Sequence, residues 1–163
     1  MTDEKWRELL INAIKSRAMF YYAFYKEFSA EIGPEKTAEI MKRATYKRGL
    51  EIGKHFAEYA PGDMEGLKDS FLEFMPDPKA TFNPKLDRCD SEGLDIQLQS
   101  CPLKDAWKEA GLSDEEITIM ASIAGHVDNG TFEGAGFDFH AETWKPGHKG
   151  CCQLHIRPGK KGA

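Results

Sequence analysis

The amino-acid sequence predicts an α+β fold, with N-terminal helices followed by a C-terminal antiparallel sheet that carries helices on one face. Two observations lead there. Apolar residues recur at spacings of three and four through about residue 76, and beyond it the period falls to two. Proline and glycine punctuate the chain at intervals that suit helices first and strands later. A length of 163 residues fits a single domain spanning 1–163, with a helical half over about 1–76, a sheet-containing half over about 77–157 and a disordered tail at 158–163.

The first helix carries Trp6, Leu9, Leu10, Ala13 and Ile14, and Phe20, Phe24 and Phe28 continue the stripe, which reads as core. Gly33-Pro34 stops it and opens a second helix, with Pro34 suited to the first helical position. That helix carries Ala38, Met41, Ala44, Ile52 and Phe56 and ends by Pro61-Gly62; a shorter one runs from about Asp63 to Pro76. Residues 80–89 and 93–101 read as a hairpin across Asp90-Ser91-Glu92-Gly93, the second arm alternating Leu94, Ile96 and Leu98 with Asp95, Gln97 and Gln99.

Cys101-Pro102 then opens a short helix closed by Gly111. Ser113 with Glu116 forms a capping box for a helix to about Asn129, after which Gly130, Gly134 and Gly136 mark loops. Two strands complete the chain, Phe137–Trp144 and Cys151–Arg157. Strict alternation in the last one puts Cys151 with Gln153, His155 and Arg157, toward solvent or a partner subunit. It puts Cys152 with Leu154 and Ile156, toward the helices. His140 and His155 fall on the polar face.

Composition excludes several function classes. A net charge of −5 leaves no basic footprint for nucleic acid. No stretch approaches the ~20 apolar residues of a membrane span, and the N-terminus lacks the features of a signal peptide. The expectation is a cytoplasmic protein whose four cysteines are reduced thiols. No C-x-x-C or H-x-x-x-H spacing occurs, so neither a metal nor a cofactor is expected. The expected partner is a small-molecule substrate, with room for a homo-oligomer.

Three residues stand out chemically. Cys101, before proline at a helix start, sits where the helix end lowers a thiol pKa; it can equally be a small residue that ends a strand. Asp128 falls at the edge of an apolar arc, between Ile117 and Ala121 on the helical wheel, where an acid has either a structural hydrogen-bonding role or a ligand-binding or catalytic one. Cys152 faces the side where both can meet it, with a buried structural cysteine as the plain alternative. Glu133 lies among glycines past the expected helix end, and His126 on the polar side of the helix.

With those residues in view, the chain resembles the L-2-amino-thiazoline-4-carboxylic acid hydrolase family over about Glu31 to Arg157. The similarity is sharpest in C-P-L-K-D-A-W, I-A-G-H-V-D, F-E-G-A-G and E-T-W-K-P-G-H-K-G-C-C-Q-L-H-I. The family pattern matches Cys101-Pro102, Asp128, Glu133-Gly134, Thr143 and Cys152. It usually has Asp-Phe where this chain has Gln153-Leu154, and often arginine at His155.

The resemblance implies a hydrolase that opens a cyclic thiazoline or amidine-type ring to an N-carbamoyl thiol. Cys101, Asp128 and Cys152 would be catalytic, and Glu133 and Thr143 would bind substrate. A module of different class, binding a small ligand or metal or sensing redox state without catalysis, fits the same residues.

Overall fold

The structure, a computed structural model, describes residues 2–160. Helix α1 spans Asp3–Ile32, α2 Pro34–Gly53 and α3 Met64–Phe74, with a 3₁₀ segment over Lys54–Tyr59 between the last two. Strands β1 (Pro84–Asp90) and β2 (Gly93–Leu98) form the expected hairpin. Its turn is closed by the Asp90 carboxylate, which accepts from the N–H groups of Glu92 (2.8 Å) and Gly93 (3.2 Å). Then come α4 (Pro102–Glu109), α5 (Asp114–Ala135), β3 (Asp138–Glu142) and β4 (Gln153–Arg157). The sheet order is β1-β2-β4-β3 and every pairing is antiparallel. The architecture is therefore α+β, as the change of period predicts. No helix among the described residues is long and apolar enough to cross a membrane.

One sheet face carries Leu94, Ile96, Leu98, Leu154 and Ile156, all buried beneath the helices. The other carries Asp95, His155, Arg157 and His140. There Asp95 lies 2.8 Å from His155 Nδ1 and accepts from Arg157 (2.7 Å), and the two imidazoles stack at 6.0 Å. Both histidines thus occupy the polar face expected for them.

Three expectations change. Phe20, Phe24 and Phe28 are exposed and form a row along the outside of α1, Phe24 stacked on Phe28 and Phe20 tilted against Phe24, while Ile14, Ala18 and Tyr25 form its buried row. Helical spacing groups residues on one face, but α1 has two apolar faces and periodicity does not choose between them. The tail is also partly packed, because the Gly159 N–H donates to the Pro61 carbonyl (2.8 Å); residues 161–163 of the expected disordered tail lie outside the described residues.

Third, α5 runs through Gly130 and Gly134 to Ala135 and ends at Gly136, which adopts a left-handed φ of 103°. Glycine inside a helix costs ~1 kcal/mol relative to alanine, and packing against α2 explains why the helix continues. At Gly49 and Gly130 the two backbones touch: a Cβ on Gly49 would strike the Val127 carbonyl, and one on Gly130 the Tyr46 carbonyl. Thr45 adds a buried bond from its hydroxyl to the Ile123 carbonyl (2.8 Å).

This contact sets the sign of a substitution. Gly130→Ala, which raises helix propensity, is expected to destabilise the protein by at least ~1–3 kcal/mol, because its methyl group has only backbone to displace. Thermal unfolding checks it, with Gly134→Ala as the contrast: there the nearest atom is the flexible Leu50 side chain at 3.0 Å.

Candidate active site

The three candidate residues reach one place by three routes. Cys101 is the N-cap of α4, with extended backbone and its Sγ accepting from the Lys104 N–H at 3.5 Å. Pro102 at the first helical position, whose missing N–H would have no partner there, fixes the helix start beside the thiol. Asp128 projects from the middle of α5, and Cys152 sits just before β4. All three line a cavity of about 210 Å³ between the helices and the sheet, walled by Phe71, Met75, Phe82, Trp107 and Leu154 among others. That volume lies below the ~300–1,000 Å³ of drug-sized pockets and suits a small ring.

Cys151 departs from its expected place. It is 4% exposed and lines the same cavity, with its Sγ 3.4 Å from that of Cys152. The reason is local. The Cys151 N–H donates to the Leu98 carbonyl (2.8 Å), and the Leu98 N–H donates to the Cys152 carbonyl (2.9 Å). Two residues therefore oppose one, the pattern of a β-bulge, and alternation is lost where strand pairing would have imposed it. Gly150, with a φ of 70°, bends the chain into the bulge, and Lys104 Nζ holds the turn by donating to the Gly150 carbonyl (2.5 Å).

The thiols are electrostatically unequal. Cys101 has its pKa lowered, first by the hydrogen bond from the Cys151 thiol, then by the N–H groups of Lys104 and Leu103 and the Lys104 charge, all against the opposing effect of burial. Cys151 is raised by its bonds to Cys101 and Cys152 and by burial. The two shifts run in opposite directions, so of this pair Cys101 is the thiol that gives up its proton more readily. Asp128 is pushed up to about 7 by burial alone, with no cation or donor offsetting it. A thiol biased toward ionisation and a carboxyl pushed up to about 7 thus line one small apolar chamber.

Glu133 and Thr143 are placed differently. Glu133 is on the last turn of α5, not in a loop, where it is exposed and accepts from the Tyr46 hydroxyl (2.9 Å). Five residues separate it from Asp128, and at ~100° per residue the two point ~140° apart. Thr143 is half-buried beside Gly125, its methyl 2.9 Å from where a Cβ on Gly125 would sit, and does not itself line the cavity. His126 lies with its Nδ1 2.8 Å from the Ser122 carbonyl. Among the described residues, no group of three or more His, Cys, Asp or Glu side chains is arranged to hold a metal ion.

Sequence reasoning turned Cys151 away from the cavity and singled out neither Lys104 nor Arg17, although all three line it.

The thiol arrangement predicts a pH signature. Alkylation of Cys101 should titrate below the ordinary cysteine value of ~8.5. Cys151→Ala should move that midpoint upward by removing the donor, whereas Cys151→Ser, which keeps one, should restore most of the shift. Mass spectrometry of iodoacetamide-treated protein across pH 5–10 (a range of about five units around the ordinary value) separates the sites. An unchanged Cys101 midpoint in Cys151→Ala would remove the donor role.

Two comparisons bear on what the site belongs to. A search of curated proteins returns no significant match. The family model described as L-2-amino-thiazoline-4-carboxylic acid hydrolase matches residues 12–156, a span that contains the cavity thiols and Asp128. On that match, the chain belongs to the L-2-amino-thiazoline-4-carboxylic acid hydrolase family.

Proposed function

We propose that the protein hydrolyses a small cyclic amidine of the 2-amino-thiazoline-4-carboxylate type to an N-carbamoyl thiol, with Cys101 as nucleophile. The observation that carries this reading is the pairing of a thiolate-favouring Cys101 with an unpartnered Asp128 in one apolar cavity. Membership of the family supports the same chemistry.

The steps balance with these residues. A neutral 2-aminothiazoline takes a proton from the Asp128 carboxyl and becomes an amidinium held by the resulting carboxylate, which makes the carbon between nitrogen and sulfur electrophilic. The Cys101 thiolate forms a bond to that carbon. The ring C–S bond breaks, its electron pair goes to the ring sulfur, and that sulfur takes the Cys151 proton. Water, losing a proton to the Asp128 carboxylate, then adds to the same carbon. The Cys101–carbon bond breaks and Cys101 leaves as a thiolate. The remaining proton on the new urea returns to Cys151, and one water has been consumed. Cys152, in contact with Cys151, supports the proton donor and does not attack.

The raised pKa of Asp128 ties both stability and the first proton transfer to its protonated form. Its folded-state value of about 7 lies above the ordinary ~3.9, so the folded chain holds the proton more tightly. That contribution is full below about pH 4 and is lost as pH rises through about 7. Asp128→Asn should therefore leave the melting temperature at pH 8 unchanged or raised, while lowering turnover of the aminothiazoline carboxylate by ~10²–10⁴-fold. Melting and turnover measured on one preparation test this. Retained turnover with a collapsed fold would make Asp128 a structural acid, and absence of turnover by the wild-type protein and Cys101→Ala alike would sink the hydrolase reading.

A further inference from the structure

We infer that Arg17 is the substrate-selecting residue of this cavity: its guanidinium, at the mouth, receives an anionic carboxylate while Asp128 holds the cationic end of the same molecule. This rests on the small-molecule reading of the cavity and names the feature by which ligands are chosen.

The cavity is mainly apolar, and the side chains in its lining that ordinarily carry charge are Arg17, Lys104 and Asp128. Lys104 is buried and its Nζ is committed to the Gly150 carbonyl at 2.5 Å. Arg7, Arg43, Arg88 and Arg157 each pair with a carboxylate. Arg17 and Arg48 have no such partner among the described residues, and of these two only Arg17 lines the cavity. It does not pair with Asp128 either, although both line one chamber. An unpaired cation and an unpaired acid in one apolar cavity leave space for a ligand that bridges them.

The position of Arg17 is fixed rather than incidental. The next residue, Ala18, is fully buried, and its carbonyl accepts from the indole N–H of Trp107 at 2.9 Å. Trp107 is itself a cavity wall. The turn of α1 that bears Arg17 is thereby pinned to α4, the helix that Cys101 caps. Arg17 is exposed and also lines the cavity, so its guanidinium can meet a ligand that is still hydrated. The planar fork matches a carboxylate through two parallel N–H donors, a geometry an ammonium does not offer.

Two probes separate this from the chemistry of ring opening. The aromatic 2-aminothiazole-4-carboxylate resists hydrolysis, and 2-aminothiazole lacks only the carboxylate. Calorimetric titration of wild-type protein should show tighter binding of the carboxylate. Arg17→Gln should weaken the carboxylate by ~10–100-fold, the scale of one or two charge-assisted hydrogen bonds, and leave 2-aminothiazole unchanged. Arg17→Lys should recover only part of the loss.

Equal weakening of both probes by Arg17→Gln, a carboxylate preference that survives the substitution, or binding of neither probe would each overturn the inference. Turnover of 2-amino-thiazoline-4-carboxylate is followed separately. An Arg17-dependent carboxylate preference without turnover would retain the role of Arg17 and remove the hydrolase reading.

Discussion

The close approach of α2 and α5 is the constraint on which the rest of the structure depends. Gly49 and Gly130 let two backbones meet where any side chain would collide. With that spacing set, α5 lies where Phe132 reaches Phe56, Phe71 and Phe139, joining the helical layer to the sheet. The same helix carries Asp128 toward the cavity, two residues before Gly130. The helix-breaking tendency of glycine is overridden because the contact it permits is worth more than the propensity it lacks.

The second organising feature is the bulge opposite Leu98. It converts two adjacent cysteines, which a regular strand would send to opposite faces, into a pair facing one chamber. Lys104 links this bulge to α4 through Gly150, so the N-cap thiol and the bulge thiols are positioned by one ammonium group. The ordering of proton affinities follows from that geometry. Cys101 receives donors from the backbone of its own helix and from Cys151, while Cys151 is raised by its bonds to two other thiols and by burial. Identical side chains acquire different chemistry from their neighbours.

Asp128 is costly to the fold at high pH, because burial raises its pKa and no side chain of the cavity lining offsets that effect. A partner-free acid in an apolar chamber is the kind of local conflict that concentrates at working sites. The polar sheet face provides a contrast. There Asp95 is surrounded by His155 and Arg157 and is held below the usual carboxylate range despite partial burial. One carboxylate is built into the structure and the other is left available to a ligand.

The sequence by itself determined the α+β class, the hairpin turn at Asp90, the capping box at Ser113 and the start of α4 at Cys101-Pro102. Each is encoded by residues within a few positions of one another, where propensity, turn chemistry and capping act directly. It also brought Cys101 and Asp128 to notice, because a thiol at a helix start and an acid at the edge of an apolar arc are local anomalies. Tertiary structure decided the remainder. It chose the inner face of α1, carried α5 past Gly130, turned Cys151 inward, moved Glu133 out to solvent and set Arg17 at the cavity mouth. Each of these depends on a contact between segments far apart in the chain, Gly130 with Tyr46, Cys151 with Leu98, Ala18 with Trp107. Such contacts leave no periodic signal in the sequence, because they are set by how packed elements exclude one another in space.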